Sequence, residues 1–151
     1  MSNVNLLGSE EWAVVGTVDP DANAAGAVNS DIIDMSLFEQ ILVVVMTGAL
    51  GSGATVAVKI QEGALANMSD AADISGKAIT TFADSSPTGS NNDQQALINL
   101  RGDELTEGDR YVRVVHTVAN ATSDSAVLIL GKGKSGPSSD NDLASVQEIV
   151  S

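Results

Sequence analysis

The chain contains no cysteine, few aromatic residues and few cations. Its 151 residues include 7 Lys or Arg against 20 Asp or Glu, and only 3% are aromatic. Without cysteine there are no disulfides, thiolate metal ligands or cysteine nucleophiles. The formal net charge is −13, and no Lys or Arg precedes Lys59. Nucleic acid is therefore not expected as a partner, because binding to phosphates depends on clustered cations.

Long apolar runs are missing as well. The longest, residues 41–46, is much shorter than the roughly 20 residues of a membrane-spanning helix. The residues before Trp12 lack the cationic and apolar segments of a secretory signal. We therefore expect a soluble protein that is made in the cytoplasm and has no membrane partner. A chain of this length suits one domain, which can bury about 70% of the surface that its unfolded form exposes.

The sequence does contain a series of short segments with strand patterns. In the sharpest, Val56, Val58 and Ile60 share one face of a pleat, while Lys59 and Gln61 lie on the other. Strand patterns also occur at residues 12–18, 28–35, 39–47, 77–82, 94–100, 110–118 and 125–131. Seven or eight short strands predict an all-β fold, an antiparallel β-sandwich or jelly roll.

Three local patterns refine this prediction. Residues 41–46 and 127–130 are apolar at consecutive positions, which predicts strands buried on both faces between two layers. Three glycines at residues 48–53 favour a hairpin that pairs the two flanking strands. Asp19-Pro20-Asp21 has turn chemistry and predicts the end of the first strand.

The termini differ in composition from the segment between them. We predict an N-terminal arm at residues 1–10, a β-sandwich domain at 11–132, and a linker and C-terminal tail at 133–151. In the tail, Leu143, Val146 and Ile149 fall on one helical stripe. This spacing predicts a short C-terminal helix that would need a neighbour, because isolated helices of this length are marginal in water.

Motifs that would carry chemistry are incomplete. Gly133-Lys134-Ser135 lacks the first glycine of a phosphate-binding loop. Residues 19–30 lack the glycine and the final acidic ligand of a calcium loop. The single histidine, His116, lies among valines on a strand face, a position typical of a structural histidine. We therefore predict no catalytic residue, cofactor or dedicated metal site. An opportunistic cation remains open at loop carboxylates such as Asp70, Asp73, Asp140 and Asp142.

One segment has the composition of an interface. Arg110, Tyr111 and Arg113 lie together at the start of a predicted strand, and Arg101 precedes them. Arg and Tyr often anchor protein interfaces, so Arg110, Tyr111 and Arg113 are candidate interface residues, together with Leu143, Val146 and Ile149 of the tail. The alternative is an exposed strand face whose cations neutralise nearby acidic residues.

At residues 29–36, 54–61, 74–79 and 110–118 the chain resembles the decoration, or cement, proteins of tailed-bacteriophage heads. The resemblance covers most of residues 12–131. It implies a β-sandwich or jelly roll that binds the major capsid protein on the outer surface of the virion, commonly as a homotrimer. It brings no catalytic residues.

Two other classes of function remain. A ligand-binding β-sandwich, such as a carbohydrate-binding module of a fibre or a secreted protein, is expected to expose an aromatic platform. The chain has few residues for one, namely Trp12, Phe38, Phe82 and Tyr111. An enzyme ranks third, because the sequence carries no recognisable catalytic constellation.

Overall fold

The computed structural model describes residues 5–85 and 90–151. The first four residues of the predicted N-terminal arm lie outside this range. Within it, a short helix, α1 (Gly8–Glu11), precedes ten strands. The strands are β1 (Ala13–Asn23), β2 (Gly26–Asn29), β3 (Ile33–Asp34), β4 (Phe38–Leu50), β5 (Thr55–Gly63), β6 (Ala72–Ala78), β7 (Phe82–Ala83), β8 (Gln95–Arg101), β9 (Tyr111–Ala119) and β10 (Ser123–Gly133).

The strands form two antiparallel sheets, which confirms the predicted all-β sandwich. The four-stranded sheet has the order β1-β10-β4-β8. The six-stranded sheet has the order β2-β9-β5-β6, with β3 paired to β9 and β7 paired to β5. Each sheet turns one face towards the other, and the apolar side chains between them form a single core.

The core contains the residues that the sharpest strand pattern predicts. Val56, Val58 and Ile60 of β5 are each at most 1% exposed. Lys59 and Gln61 lie on the opposite face, where Lys59 Nζ and Gln61 Nε2 donate to Asp73 at 2.7 and 2.8 Å. From the other sheet the core receives Ile41, Val43, Val45, Val127 and Ile129.

The prediction that residues 41–46 and 127–130 are buried on both faces is wrong. Along β4 and β10 burial alternates from one residue to the next. Val43 is fully buried, whereas Val44 is partly exposed and Met46 is 49% exposed. A sandwich of two layers offers each strand only one buried face, so the second apolar set of both strands lies on the outside.

The predicted hairpin between the strands that flank residues 48–53 is also wrong. β4 pairs with β10 and β8, whereas β5 pairs with β9, β6 and β7, so this connection passes from one sheet to the other. Gly51 lies where the connection crosses the turn before β10. A Cβ at this position would clash with the carbonyl oxygen of Thr122.

Asp19-Pro20-Asp21 does not end β1, as its turn chemistry predicts. The strand continues to Asn23, with an irregular register against β10 between Val18 and Asp21. β1 is an edge strand, where a bulge can accommodate a proline because its missing N–H is not needed for pairing.

Two other predicted strands are displaced. Residues 28–35 contribute to the separate short strands β2 and β3, and residues 77–82 span the break between β6 and β7. β6 begins earlier, where Asp73 pairs with Gln61 of β5. Most of β6 is exposed, so its sequence lacks the alternation that marks a half-buried strand.

The predicted C-terminal helix is wrong. Residues 142–151 contain no helix, and the segment before them forms one 3-10 turn, Ser138–Asn141. Asp142 Oδ1 accepts a hydrogen bond from Val14 N at 2.7 Å, and Leu143 N donates to Val14 O at 2.9 Å. These bonds hold the start of the tail against the free edge of β1, and a turn follows at residues 144–145. The predicted linker is anchored too, because Ser138 Oγ accepts from Gly133 N and donates to Glu11 O.

The buried face of β5 yields a stability prediction. Val58→Asp should lower the free energy of unfolding by roughly 3 kcal/mol or more, because it buries an unpaired charge. The control, Lys59→Ala, changes the neighbouring solvent-facing residue and should leave the denaturation midpoint nearly unchanged. Urea denaturation of both variants measures the difference. Equal midpoints would contradict the assignment of the two faces.

Candidate functional site

The predicted cluster of Arg110, Tyr111 and Arg113 lies on the outer surface of the six-stranded sheet. Arg110 binds Asp34 through Nε at 2.7 Å and Nη2 at 2.6 Å, and its guanidinium carbon is 5.3 Å from the centre of the Tyr111 ring. The hydrogen bond from Arg110 holds the pKa of Asp34 well below its usual range. Arg113 Nε donates to Gln61 Oε1 at 3.0 Å. The cations of this cluster thus already have partners within the chain.

Arg101 is not part of that cluster. It ends β8 in the four-stranded sheet, where Nε lies 3.2 Å from Asp103 Oδ1. Arg101 lies close to Arg110 in the sequence, but it belongs to the four-stranded sheet, whereas Arg110 directly precedes β9 of the six-stranded sheet.

The tail residues lie beside the edge strand β1. Leu143 and Val146 are partly buried, whereas Ile149 is 50% and Val150 85% exposed. An open groove of roughly 740 Å³ lies between the end of the tail and the body of the domain. Its apolar lining includes Leu7, Trp12, Val14, Leu130, Val146 and Ile149. The tail therefore offers apolar side chains at a groove rather than one stripe of a helix.

His116 connects the two sheets inside the core. The side chain is fully buried on β9, and its Nε2 lies 2.8 Å from Ser125 Oγ on β10. Its Nδ1 has no hydrogen-bond partner among the described residues. Burial lowers the pKa of His116, so the ring is neutral at physiological pH. Enclosed in this way, the imidazole bridges the layers and does not face a substrate cleft.

Two carboxylates, Asp70 in a loop and Glu62 on β5, accept hydrogen bonds from the chain itself. Asp70 accepts hydrogen bonds from the backbone N–H groups of Ala64 and Leu65. Glu62, which is 6% exposed, accepts from Thr106 N at 2.9 Å and Thr106 Oγ1 at 2.6 Å. Within residues 5–85 and 90–151, no group of three or more His, Cys, Asp or Glu is arranged to hold a metal ion.

The outer side of the four-stranded sheet carries an apolar surface that the sequence did not predict. Register places Leu128 beside Val44 and Leu130 beside Leu42, while Val44 also lies beside Leu97 on β8. These side chains point away from the core, and Leu97 is 61% exposed. We define the outer apolar face of the four-stranded sheet by Val14, Leu42, Val44, Met46, Leu97, Ala126, Leu128 and Leu130. Its sequence signal was the pair of continuous apolar runs, which predicted a second buried layer instead.

The two ends of the outer apolar face differ in charge. At one end, Asp21 and Asp124 border an open hollow of roughly 500 Å³, whose apolar lining includes Met46 and Ala126. At the other end, Gln40 pairs with Lys132 on one side and with Arg101 on the other. Both cations there are neutralised locally, since Lys132 lies 3.4 Å from Glu11 and Arg101 pairs with Asp103.

Comparison with known proteins gives no family assignment: no protein-family model matches the chain, and no curated protein matches it. Over the described residues, no helix has the length and apolar character needed to cross a membrane. The fold, the exposed surfaces and the resemblance in the sequence are therefore the basis for inferring a function.

The buried imidazole predicts a pH dependence of stability. Because its pKa is lowered from about 6.5 on folding, the unfolded chain binds more protons than the folded one below that pH. The free energy of unfolding should be constant above about pH 7 and fall as the pH drops from 6.5 towards 5, with a slope of up to about 1.4 kcal/mol per pH unit. Urea denaturation across this range measures the slope. His116→Gln should abolish it, and an unchanged slope would contradict the assignment to His116.

Proposed function

We propose that this protein is a structural virion protein that decorates the outer surface of a tailed-phage capsid and stabilises it, without catalysis. Its partners are the major capsid protein and further copies of itself, with a trimer as the assembly that the resemblance implies. The observation that carries the proposal is the outer apolar face on an otherwise acidic β-sandwich. Large exposed apolar patches on soluble domains mark interaction sites.

The charge of the chain favours the exterior of a phage head. With a net charge of −13, the protein is repelled by packaged DNA, whose phosphates carry the same sign. On the outside, this repulsion is weaker and a repeating protein surface is available. Contacts of modest strength then become strong when an oligomer engages several capsid sites at once.

The C-terminal tail suits a second contact. The tail is hydrogen-bonded to β1 as far as Leu143. Beyond Leu143, the side chains of Ile149 and Val150 are exposed. Apolar side chains at a chain end gain free energy by packing into a partner surface. We therefore assign residues 144–151 the role of a clamp on the capsid.

The carbohydrate-binding alternative has less support from the positions of the aromatic residues. Phe38 is 3% exposed and belongs to the core. Trp12 and Phe82 are partly buried, and the ring of Tyr111 is covered on one side by Arg110. These rings do not form the flat exposed platform on which sugars stack. Binding to a glycan array would favour this alternative.

The clamp can be tested without disturbing the anchored part of the tail. Deleting residues 144–151 should change the melting temperature of the free protein by only a few degrees, because most of these residues are exposed. It should weaken binding to capsids that lack the decoration protein and reduce their protection against heat and osmotic shock. The measurements are sedimentation of capsids with bound protein and the thermal release of DNA.

A full-length variant with Ile149→Ser and Val150→Ser serves as the matched control for chain length. It should bind as weakly as the deletion if the two apolar side chains form the contact. If wild-type protein neither binds nor protects such capsids, the decoration proposal is wrong.

A further inference from the structure

We propose that the outer apolar face is the surface that docks on the capsid, against a protein surface with an apolar centre and Arg or Lys side chains at the margin that meets Asp21 and Asp124. This inference rests on the proposed function and adds the docking surface and the chemistry of its partner.

The outer apolar face has an unusual composition for the solvent side of a sheet. An antiparallel sheet that turns one side to water normally alternates apolar inward with polar outward residues. On β10 the outward positions Ala126, Leu128 and Leu130 are instead apolar, and on β4 so are Leu42 and Val44. These two adjacent strands therefore present a continuous apolar surface, to which β8 adds Leu97 beside Val44. Its centre carries no charged side chain, which is the composition of an interface core.

Charge is distributed unevenly along the strands of this face. On β10, the outward positions run from Asp124 through the apolar residues to Lys132. These two ends lie about 26 Å apart, given roughly 3.3 Å per strand residue. Lys132 pairs with Glu11, whereas Asp124 is exposed and is not among the carboxylates that form ion pairs within the described residues. The partner must therefore supply positive charge at the Asp124 end and little charge elsewhere.

The acidic end of the face has a shape that suits a long cationic side chain. The hollow beside Asp21 and Asp124 has Pro20, Met46 and Ala126 in its lining. Arg and Lys side chains combine an apolar stem with a charged head. In this hollow the apolar stem of a partner's Arg or Lys packs on Met46 and Ala126, and its charged head reaches the carboxylate of Asp21 or Asp124. A hydrogen bond between two charged groups is stronger than one between neutral groups.

A second copy of the chain fits this face less well. Five of its seven cationic side chains already pair with carboxylates of their own chain. These include Arg101 and Lys132, the two cations at the far end of the same face. A copy stacked face to face would therefore bring its many acidic residues but few free cations. The need for positive charge opposite Asp21 and Asp124 therefore favours a different, more basic protein as the partner.

The apolar centre is tested with Leu97→Glu, which places a charge on the most exposed leucine of the face. Because Leu97 is 61% exposed, the variant should fold with an unchanged melting temperature. Its affinity for capsids lacking the decoration protein should fall by about tenfold or more, since the change desolvates a charge in the interface core. Leu65→Glu makes the same chemical change at a 51% exposed leucine outside this face and should bind as wild type does.

The acidic margin is tested with Asp124→Asn. We expect wild-type binding to weaken as NaCl is raised, because the contact pairs opposite charges. Asp124→Asn should weaken binding by roughly threefold to tenfold at low salt and reduce the salt dependence. Glu107→Gln, at an exposed carboxylate outside the face, should change neither the affinity nor its response to salt.

The outcomes separate the docking surface from the function. Wild-type protein that fails to bind capsids would overturn both proposals. Wild-type binding that Leu97→Glu leaves unchanged would overturn the docking surface and leave the decoration function standing. Size-exclusion chromatography with light scattering is run on the same samples. If Leu97→Glu converts an oligomer to monomers, a second copy covers this face, and the inferred partner is wrong.

Discussion

The structure depends on one packing constraint: two sheets share a single core, so each sheet can bury only one of its faces. β4 and β10 carry apolar residues on both faces, and the sandwich covers the set that includes Val43 and Ile129. The other set, which includes Val44 and Leu128, remains at the surface. Burying that second face would release further free energy, about 25 cal/mol per Å² of apolar surface. A partner that covers this second face can supply that burial.

The edges of the four-stranded sheet direct association to its face. β1 has no neighbouring strand on its outer side, but Val14 there is bonded to Asp142 and Leu143 of the tail, and Thr17 N donates to Asp31 Oδ2 at 3.1 Å. At the opposite edge, Lys77 Nζ donates to the carbonyl oxygen of Asn99 at 2.7 Å. Open edges invite pairing with further strands, and these contacts obstruct it. The apolar face remains accessible in the same sheet.

The sequence was sufficient for the fold class and for the strands with a clear period, but not for their partners. Val56, Val58 and Ile60 alternate because β5 has one buried face, so their pattern predicts their burial. The pairing of β4 with β10 joins segments that are distant in the chain, and local glycines near Gly51 favoured a hairpin instead. The outer apolar face could not be predicted either, because an apolar residue on a strand gives the same sequence pattern whether its own domain or a partner covers it.

The docking surface is tested most directly by a cryo-electron microscopy reconstruction of capsids decorated with the purified protein, at a resolution that separates the strands. We expect β4, β8 and β10 to turn their outer side towards the shell, with Leu97 and Met46 in the contact and basic side chains of the capsid near Asp124. A reconstruction in which this face points to solvent, while the sheet containing Arg110 and Tyr111 meets the shell, would contradict it.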